Sequence, residues 1–332
     1  MSPVLTVIIA AATLLVGFVL LIKGADTFVS GSSAVAKRLR VPSIVIGLTV
    51  VAMGTSLPEL AVSVTASLAN SNSLAVSNVT GSNLFNLLVV LGASALFVPL
   101  VVDRGTMKGD FPFSIVCAFL LAVFGFTGGN VGRVEGFILL GLFVLFLIHT
   151  VMTALKARRE SKEEEENGEK PMSVVRCIVY IVVGVIAIKF GGDFVVGGSI
   201  VLPNGLEIQY GAVAIARIAG MSETLIGLTI VALGTSLPEL VTSMVAAKKK
   251  EVDMAVGNVI GSNIFNILLI LGTAAAISPI SFITENLFDI GVLIAASVMI
   301  WIFAWTGGKI NRIEGIIMLA IYGSYVVYIC LR

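Results

Sequence analysis

The amino-acid sequence predicts an all-α polytopic membrane protein. It places ten transmembrane helices in two inverted five-helix repeats, with the second and seventh helices broken. Three observations predict this fold. Of 332 residues, 57% are hydrophobic and 12% charged, with a mean hydropathy of +1.06; a soluble chain carries about 25% charged residues. The charges cluster, which leaves apolar stretches near the ~20 residues that cross a bilayer as a helix. The third observation is a duplication at an offset of 180. Ile46–Ser63 matches Ile226–Ser243 at 14 of 18 positions, and Val76–Gly92 matches Val256–Gly272 at 11 of 17.

The first five spans are read at 4–30, 43–69, 74–98, 111–127 and 132–155. The opening one has no positive n-region and no small-residue cleavage site, so it reads as a span and not as a signal peptide. Its Lys23 and Asp26 read as a local ion pair. The second span contains Gly54-Thr55-Ser56-Leu57-Pro58-Glu59, and the third a stripe of Asn78, Ser82 and Asn86. The fourth and fifth flank TGGNVGRVEG (127–136), which recurs as TGGKINRIEG (306–315). A polar stretch then divides the chain into a first repeat at 1–155, a cytoplasmic acidic linker at 156–172 and a second repeat at 173–332. Glu163–Glu166 within the linker reads as a solvated charge run.

The second five spans are read at 173–201, 222–247, 253–277, 287–305 and 312–331. Lys189 and Asp193 in the sixth read as another local pair. From Asp193 to Gly227 the second half is 13 residues longer than its counterpart, and LPNGLEIQYG there reads as a lengthened outer loop. An odd number of spans per half turns the second half over, the inverted topology of secondary transporters, whose sites lie near the midplane. With the N-terminus outside, the inner loops hold 16 Lys and Arg and the outer ones 3. The positive-inside rule then puts both termini outside, the central loop in the cytoplasm and the protein in the cell membrane.

Composition also bounds function. A net charge of +1 gives no reason to expect nucleic acid. Cys117, Cys177 and Cys330 have no ligand-like spacing, and His149 is the only histidine. A metal-hydrolase site or a Ser-His-Asp triad needs histidine partners that the chain lacks. The expectation is a protein that is not an enzyme, has no cofactor and needs no protein partner beyond its lipid bilayer.

Chemistry concentrates in four segments. Gly and Pro within one turn interrupt the helical hydrogen-bond ladder at Gly54–Glu59 and at Gly234–Glu239. In lipid such a break survives only against protein or a polar cavity, so it is expected to point inward and bare the carbonyls of Ala52 and Ala232. Thr55, Ser56, Thr235 and Ser236 add hydroxyls; Glu59 and Glu239 add carboxylates. Ser56 and Glu59 also spell a capping box, yet a cap gains about 1 kcal/mol against at least ~2.5 kcal/mol for a charge at a membrane helix centre. Asn78, Ser82 and Asn86, and Asn258, Ser262 and Asn266, fall at fourfold spacing on one helix face. Gly81, Gly261, Asn83 and Asn263 are assigned to packing. All the donors are hard oxygens, which suit Ca²⁺, Mg²⁺ or Na⁺, and no Arg is present to hold an anion. The cargo is read as a cation.

GTSLPEL twice, with GSNLFN and GSNIFN, resembles the cation/Ca²⁺ antiporters and, within them, the prokaryotic type of Na⁺/Ca²⁺ exchanger. The resemblance implies that Na⁺ and Ca²⁺ bind alternately, three Na⁺ for one Ca²⁺. It implies backbone ligands at Ala52 and Ala232 and side-chain ligands at Thr55, Ser56, Glu59, Ser82, Asn86, Thr235, Ser236, Glu239 and Ser262. Asn266 belongs to the same stripe, but several relatives have Asp there, which argues against K⁺ co-transport and a third titrating acid. A Ca²⁺/H⁺ antiporter of the same superfamily is the alternative, and a passive cation channel a more distant one.

Overall fold

Helix α1 (Pro3–Leu39) is 37 residues long, well beyond the 4–30 read from hydropathy. The small residues Gly31, Ser32 and Ser33 stay helical because they pack, and basic Lys37 and Arg38 complement the negative helix end. A Schellman-type turn closes it, with Arg40 at φ 55° and Val41 N–H donating to Ala36 O. The computed structural model describes residues 3–68, 73–160, 172–203, 205, 207–221, 230, 232–282 and 284–331. The acidic run Glu163–Glu166 and residues 222–229 of the seventh expected span lie outside them.

Next come α2 (Ser43–Thr55) and α3 (Leu57–Thr65 and on to Leu68), bent by 46°. Helix α4 covers 73–97, with one wide π turn at Asn86–Val90. Strand β1 (Leu100–Val101), α5 (Asp110–Gly128), β2 (Asn130–Val131) and α6 (Arg133–Glu160) complete the first half. The second half has α7 (Val174–Val196), β3 (Gly198–Val201), β4 (Glu207–Tyr210), α8 (Gly211–Ile218), α9 (Leu237–Lys248) and α10 (Val252–Ile277, with a π turn at Asn266–Leu271). It ends with β5 (Ile280–Ser281), α11 (Thr284–Gly307), β6 (Lys309–Ile310) and α12 (Arg312–Leu331). Asn311 and Glu314 start α12 with a reciprocal capping box: Asn311 Oδ1 accepts from Glu314 N–H at 3.0 Å and Glu314 Oε2 from Asn311 N–H at 2.7 Å.

Among the described residues eight helices are long and apolar enough to cross a membrane, and nine with the bent pair counted as one. The chain is mostly rather than wholly helical. The expected sixth span does not reach residue 201, because Gly197 at φ 80° ends α7 and Gly198–Val201 pairs with Glu207–Tyr210 as a hairpin. The inserted segment is thus partly sheet.

Packing ties the two halves together in matched pairs. Strand β1 pairs with β6 and β2 with β5, each across the halves. A Cβ on Gly92 would lie 3.1 Å from Gly315 O, and one on Gly136 would lie 2.9 Å from Gly272 O. Gly17, Gly24 and Gly31, seven apart, lie against 191–195, 184–188 and 177–181 of α7 in turn, so α1 and α7 run antiparallel and nearly touch. Gly257 and Gly261 let α10 close on α2, where a Cβ on Gly261 would sit 2.8 Å from Leu48 Cα.

The ion-pair expectations divide. Lys189 bonds Asp193 at 2.6 Å. Asp26 instead takes Lys249 at 2.8 Å, because the end of α9 brings that ammonium to Asp26 O and the Ser30 hydroxyl as well. In the same turn Glu251 accepts hydroxyls from Ser33 and Ser43.

Candidate functional site

Two helices stand apart by burial. In α4 and α10 78% of the most apolar stretch is buried, against 17–39% in the other six single spans. These two carry the Asn/Ser stripes. They carry polar side chains among their buried residues, which inverts the ordinary logic of a membrane helix and marks a candidate functional centre.

The breaks in the flanking helices each occupy one residue. Ser56 has φ −87°, ψ 7° and Ser236 φ −94°, ψ 4°, both in the sparsely used bridge region. Pro58 and Pro238 follow two residues on and have no N–H for the carbonyls four residues back, Gly54 and Gly234. The break does not leave the Ala52 carbonyl bare, as the sequence suggested: it accepts the Ser56 N–H at 3.0 Å, and the Thr55 hydroxyl lies 3.4 Å from it. In the second half the Ser236 N–H goes to Leu233 O at 3.2 Å.

Ser236 does not cap its helix. Its hydroxyl lies 3.3 Å from Glu59 Oε1 and 3.1 Å from Ser82 Oγ. Ser56 donates to Glu239 Oε1 at 2.9 Å. Each break therefore reaches the carboxylate of the other half. Glu59 and Glu239 are each 1% exposed. Thr235 also approaches the Glu59 carboxyl, and Thr55 donates towards Asn258 Oδ1 at 3.1 Å. Asn258 Nδ2 in turn donates to Ser243 at 2.9 Å, so this stripe member braces α2 and α9. Asn78 bonds Ser63 at 3.4 Å. Of the predicted residues the geometry joins Ser56, Glu59, Ser82, Ser236 and Glu239 in two hydrogen-bonded clusters. Asn86, Ser262 and Asn266 are buried beside them on α4 and α10.

Ten buried side-chain polar atoms lack a hydrogen-bond partner among the described residues, and half of them belong here: Glu59 Oε2, Glu239 Oε2, Asn86 Oδ1, Asn266 Oδ1 and Ser262 Oγ. Burying such a group without a partner costs about 1–3 kcal/mol. Concentrating five of them would be ruinous unless a ligand engages them. Their chemistry is uniformly hard oxygen, and among the described residues no group of three His, Cys, Asp or Glu offers a transition-metal site.

Sequence reasoning missed two things. Asn86 and Asn266 each open a π turn, a feature that often marks functional sites and has no compositional signature. Asn83 and Asn263, assigned to packing, bond each other's backbone carbonyls at 3.2 and 3.3 Å. The angle between neighbouring residues of one helix, about 100° here, does not reveal a partner from the other half.

A membrane protein whose most buried helices carry amides and hydroxyls, flanked by broken helices that carry buried carboxylates, belongs to the class of ion transporters. The comparisons with known proteins are specific. The model of the sodium/calcium exchanger protein family matches residues 9–152 and again 176–331. The chain is 34% identical over 350 residues to the sodium/calcium exchanger MaX1 of Methanosarcina acetivorans, covering 95% of this chain and 96% of that one. It is 37% identical over 317 residues to an uncharacterized membrane protein of Methanocaldococcus jannaschii, covering 95% and 96%. A structure of the sodium-calcium exchanger NCX_Mj soaked with 10 mM Na⁺ and zero Ca²⁺ superposes with a TM-score of 0.81 at 34% identity, covering 97% and 99% of the two chains. The chain belongs to the sodium/calcium exchanger family, a family of membrane transporters.

Proposed function

We propose that the protein is an antiporter that exchanges Na⁺ for Ca²⁺, three to one, by alternating access at a single midplane site. Glu59 and Glu239 neutralise the cargo. Thr55, Ser56, Ser82, Asn86, Thr235, Ser236, Ser262 and Asn266 supply further side-chain oxygens, and Ala52 and Ala232 backbone ones. The ten-span inverted repeat, with both termini outside and a cytoplasmic central loop, belongs to this reading. Its support is the antiparallel run of α1 against α7 and the matched cross-half pairs.

One observation carries the proposal. Each glutamate has one oxygen held by a serine of the opposite half and the other oxygen buried without a hydrogen bond. Such a carboxylate is pre-oriented by the protein and saturated only by cargo. A divalent ion needs both acids at once, which draws the halves together, and so do several monovalent ions. The test is ⁴⁵Ca²⁺ uptake into proteoliposomes with pH clamped. An outward-directed Na⁺ gradient should drive Ca²⁺ accumulation, and none should occur without it. In a second, Na⁺-free arm with an imposed pH gradient, uptake would select Ca²⁺/H⁺ exchange, and Ca²⁺ flux with no counter-ion would select a channel.

A further inference from the structure

The four asparagines Asn83, Asn86, Asn263 and Asn266 are all buried, each 0–1% exposed, and they bond in a crossed order. Asn83 Nδ2 donates to the backbone carbonyl of Asn263 at 3.2 Å, and Asn263 Nδ2 to that of Asn83 at 3.3 Å. Asn266 Nδ2 donates to Asn83 Oδ1 at 2.9 Å, and Asn86 Nδ2 to Asn263 Oδ1 at 3.2 Å. Asn86 Oδ1 and Asn266 Oδ1 are the two side-chain atoms of the quartet left without a hydrogen bond.

The orientation of every amide follows from one fixed point. A backbone carbonyl can only accept. Facing the Asn263 carbonyl, the Asn83 side chain must present its NH₂. Its own oxygen then lies on the other side, where it can only accept, so Asn266 must present NH₂ there. The oxygen of Asn266 is what remains. The same chain of constraint runs from the Asn83 carbonyl through Asn263 to Asn86. Without it each stripe amide could turn over and offer the site two N–H groups, which repel a cation and have no lone pair to give.

We infer that Asn83 and Asn263 are positioning residues that turn the carbonyl oxygens of Asn266 and Asn86, and not their NH₂ groups, towards the transported cation. The influence is crossed: Asn83 acts on Asn266 in the opposite half and not on Asn86, three residues along its own helix. The two π turns begin at the asparagines so held. The inference rests on the proposed cation site.

The test is a double-mutant cycle in the full-length chain, read as ⁴⁵Ca²⁺ binding in detergent and its displacement by Na⁺, with thermal stability measured alongside. Asn83→Leu, close in size, should weaken Ca²⁺ binding about three- to tenfold, the worth of one oriented hydrogen-bonding group. In an Asn266→Ala background it should cause no further weakening, because the group it orients is gone. In an Asn86→Ala background its full effect should persist. If Asn83→Leu does not fold, Asn83→Ser, too short to reach the Asn266 amide, enters the same cycle. Equal weakening by the Asn83 substitution in all three backgrounds would mean a general packing role and overturn the inference. Absence of saturable Ca²⁺ binding by the unmodified chain would count against the proposed function instead.

Discussion

Glu239→Gln removes one charge from the site and keeps its shape. The new side chain still offers an oxygen to the Ser56 hydroxyl, which donates to Oε1 at 2.9 Å, so the helix break should keep its form. Ca²⁺ takes carboxylate oxygens at about 2.3–2.6 Å. Even at about 4 Å a divalent and a unit charge attract by about 8 kcal/mol at an effective dielectric of 20. The repulsion between the two carboxylates is present in the empty and the loaded site alike and cancels from the difference. The amide oxygen and entering water recover part of the attraction, which leaves a loss of at least about 4 kcal/mol, on the order of a 10³-fold rise in Kd or more. The assay is ⁴⁵Ca²⁺ binding and flux on purified protein whose thermal unfolding matches the unmodified chain. Unchanged affinity in an intact variant would refute the shared site, and a loss traced to unfolding would refute the claim that the acid serves the ion and not the fold.

Other outcomes follow from the same geometry. Ser236→Ala should slow exchange several-fold with little change in unfolding temperature, because its hydroxyl serves Glu59 and Ser82 and does not cap α9; a large stability loss with normal exchange would restore the capping role. Asn266→Asp should behave like the unmodified chain at low pH, where a protonated carboxyl still donates to Asn83 Oδ1, and diverge in ion selectivity as pH rises and the charge appears; a pH-independent profile contradicts this. Gly24→Leu should destabilise the protein by at least about 1–3 kcal/mol, since even a Cβ would sit 2.9 Å from Ile188 N of α7. Gly141→Ala, with open space around it, should leave thermal unfolding in detergent unchanged.

The parts legible in sequence were those that chemistry makes costly. Glu59 and Glu239 inside apolar spans, next to Gly and Pro, could not be explained by packing, and their repetition at an offset of 180 pointed to one shared centre. The illegible parts depend on partners distant in the chain. Asp26 looked paired with Lys23 because only local spacing was available, whereas Lys249 reaches it from α9. The reach of α1 to Leu39 is set by packing against α7 and a Schellman-type turn, neither of which hydropathy records. The short strand pairs β1–β6 and β2–β5 join segments of two residues each, too brief for any periodicity to mark. Asn83 and Asn263 stand about 100° round the helix from the adjacent serines, which points to packing within one helix and leaves out the second helix that faces it.

In the proposed exchange one buried pair of carboxylates serves both ions in turn. Two acids supply −2, which one Ca²⁺ neutralises. Three Na⁺ added beside it would leave +3, with each Ca²⁺–Na⁺ pair at about 4 Å repelling by ~8 kcal/mol at an effective dielectric of 20. The ions must therefore exclude one another. Equilibrium ⁴⁵Ca²⁺ binding to the purified protein at rising Na⁺ tests this most directly. Apparent Ca²⁺ affinity should fall with a slope steeper than one on logarithmic axes, as several Na⁺ displace one Ca²⁺. A Ca²⁺ affinity that does not depend on Na⁺ would contradict the proposed exchange.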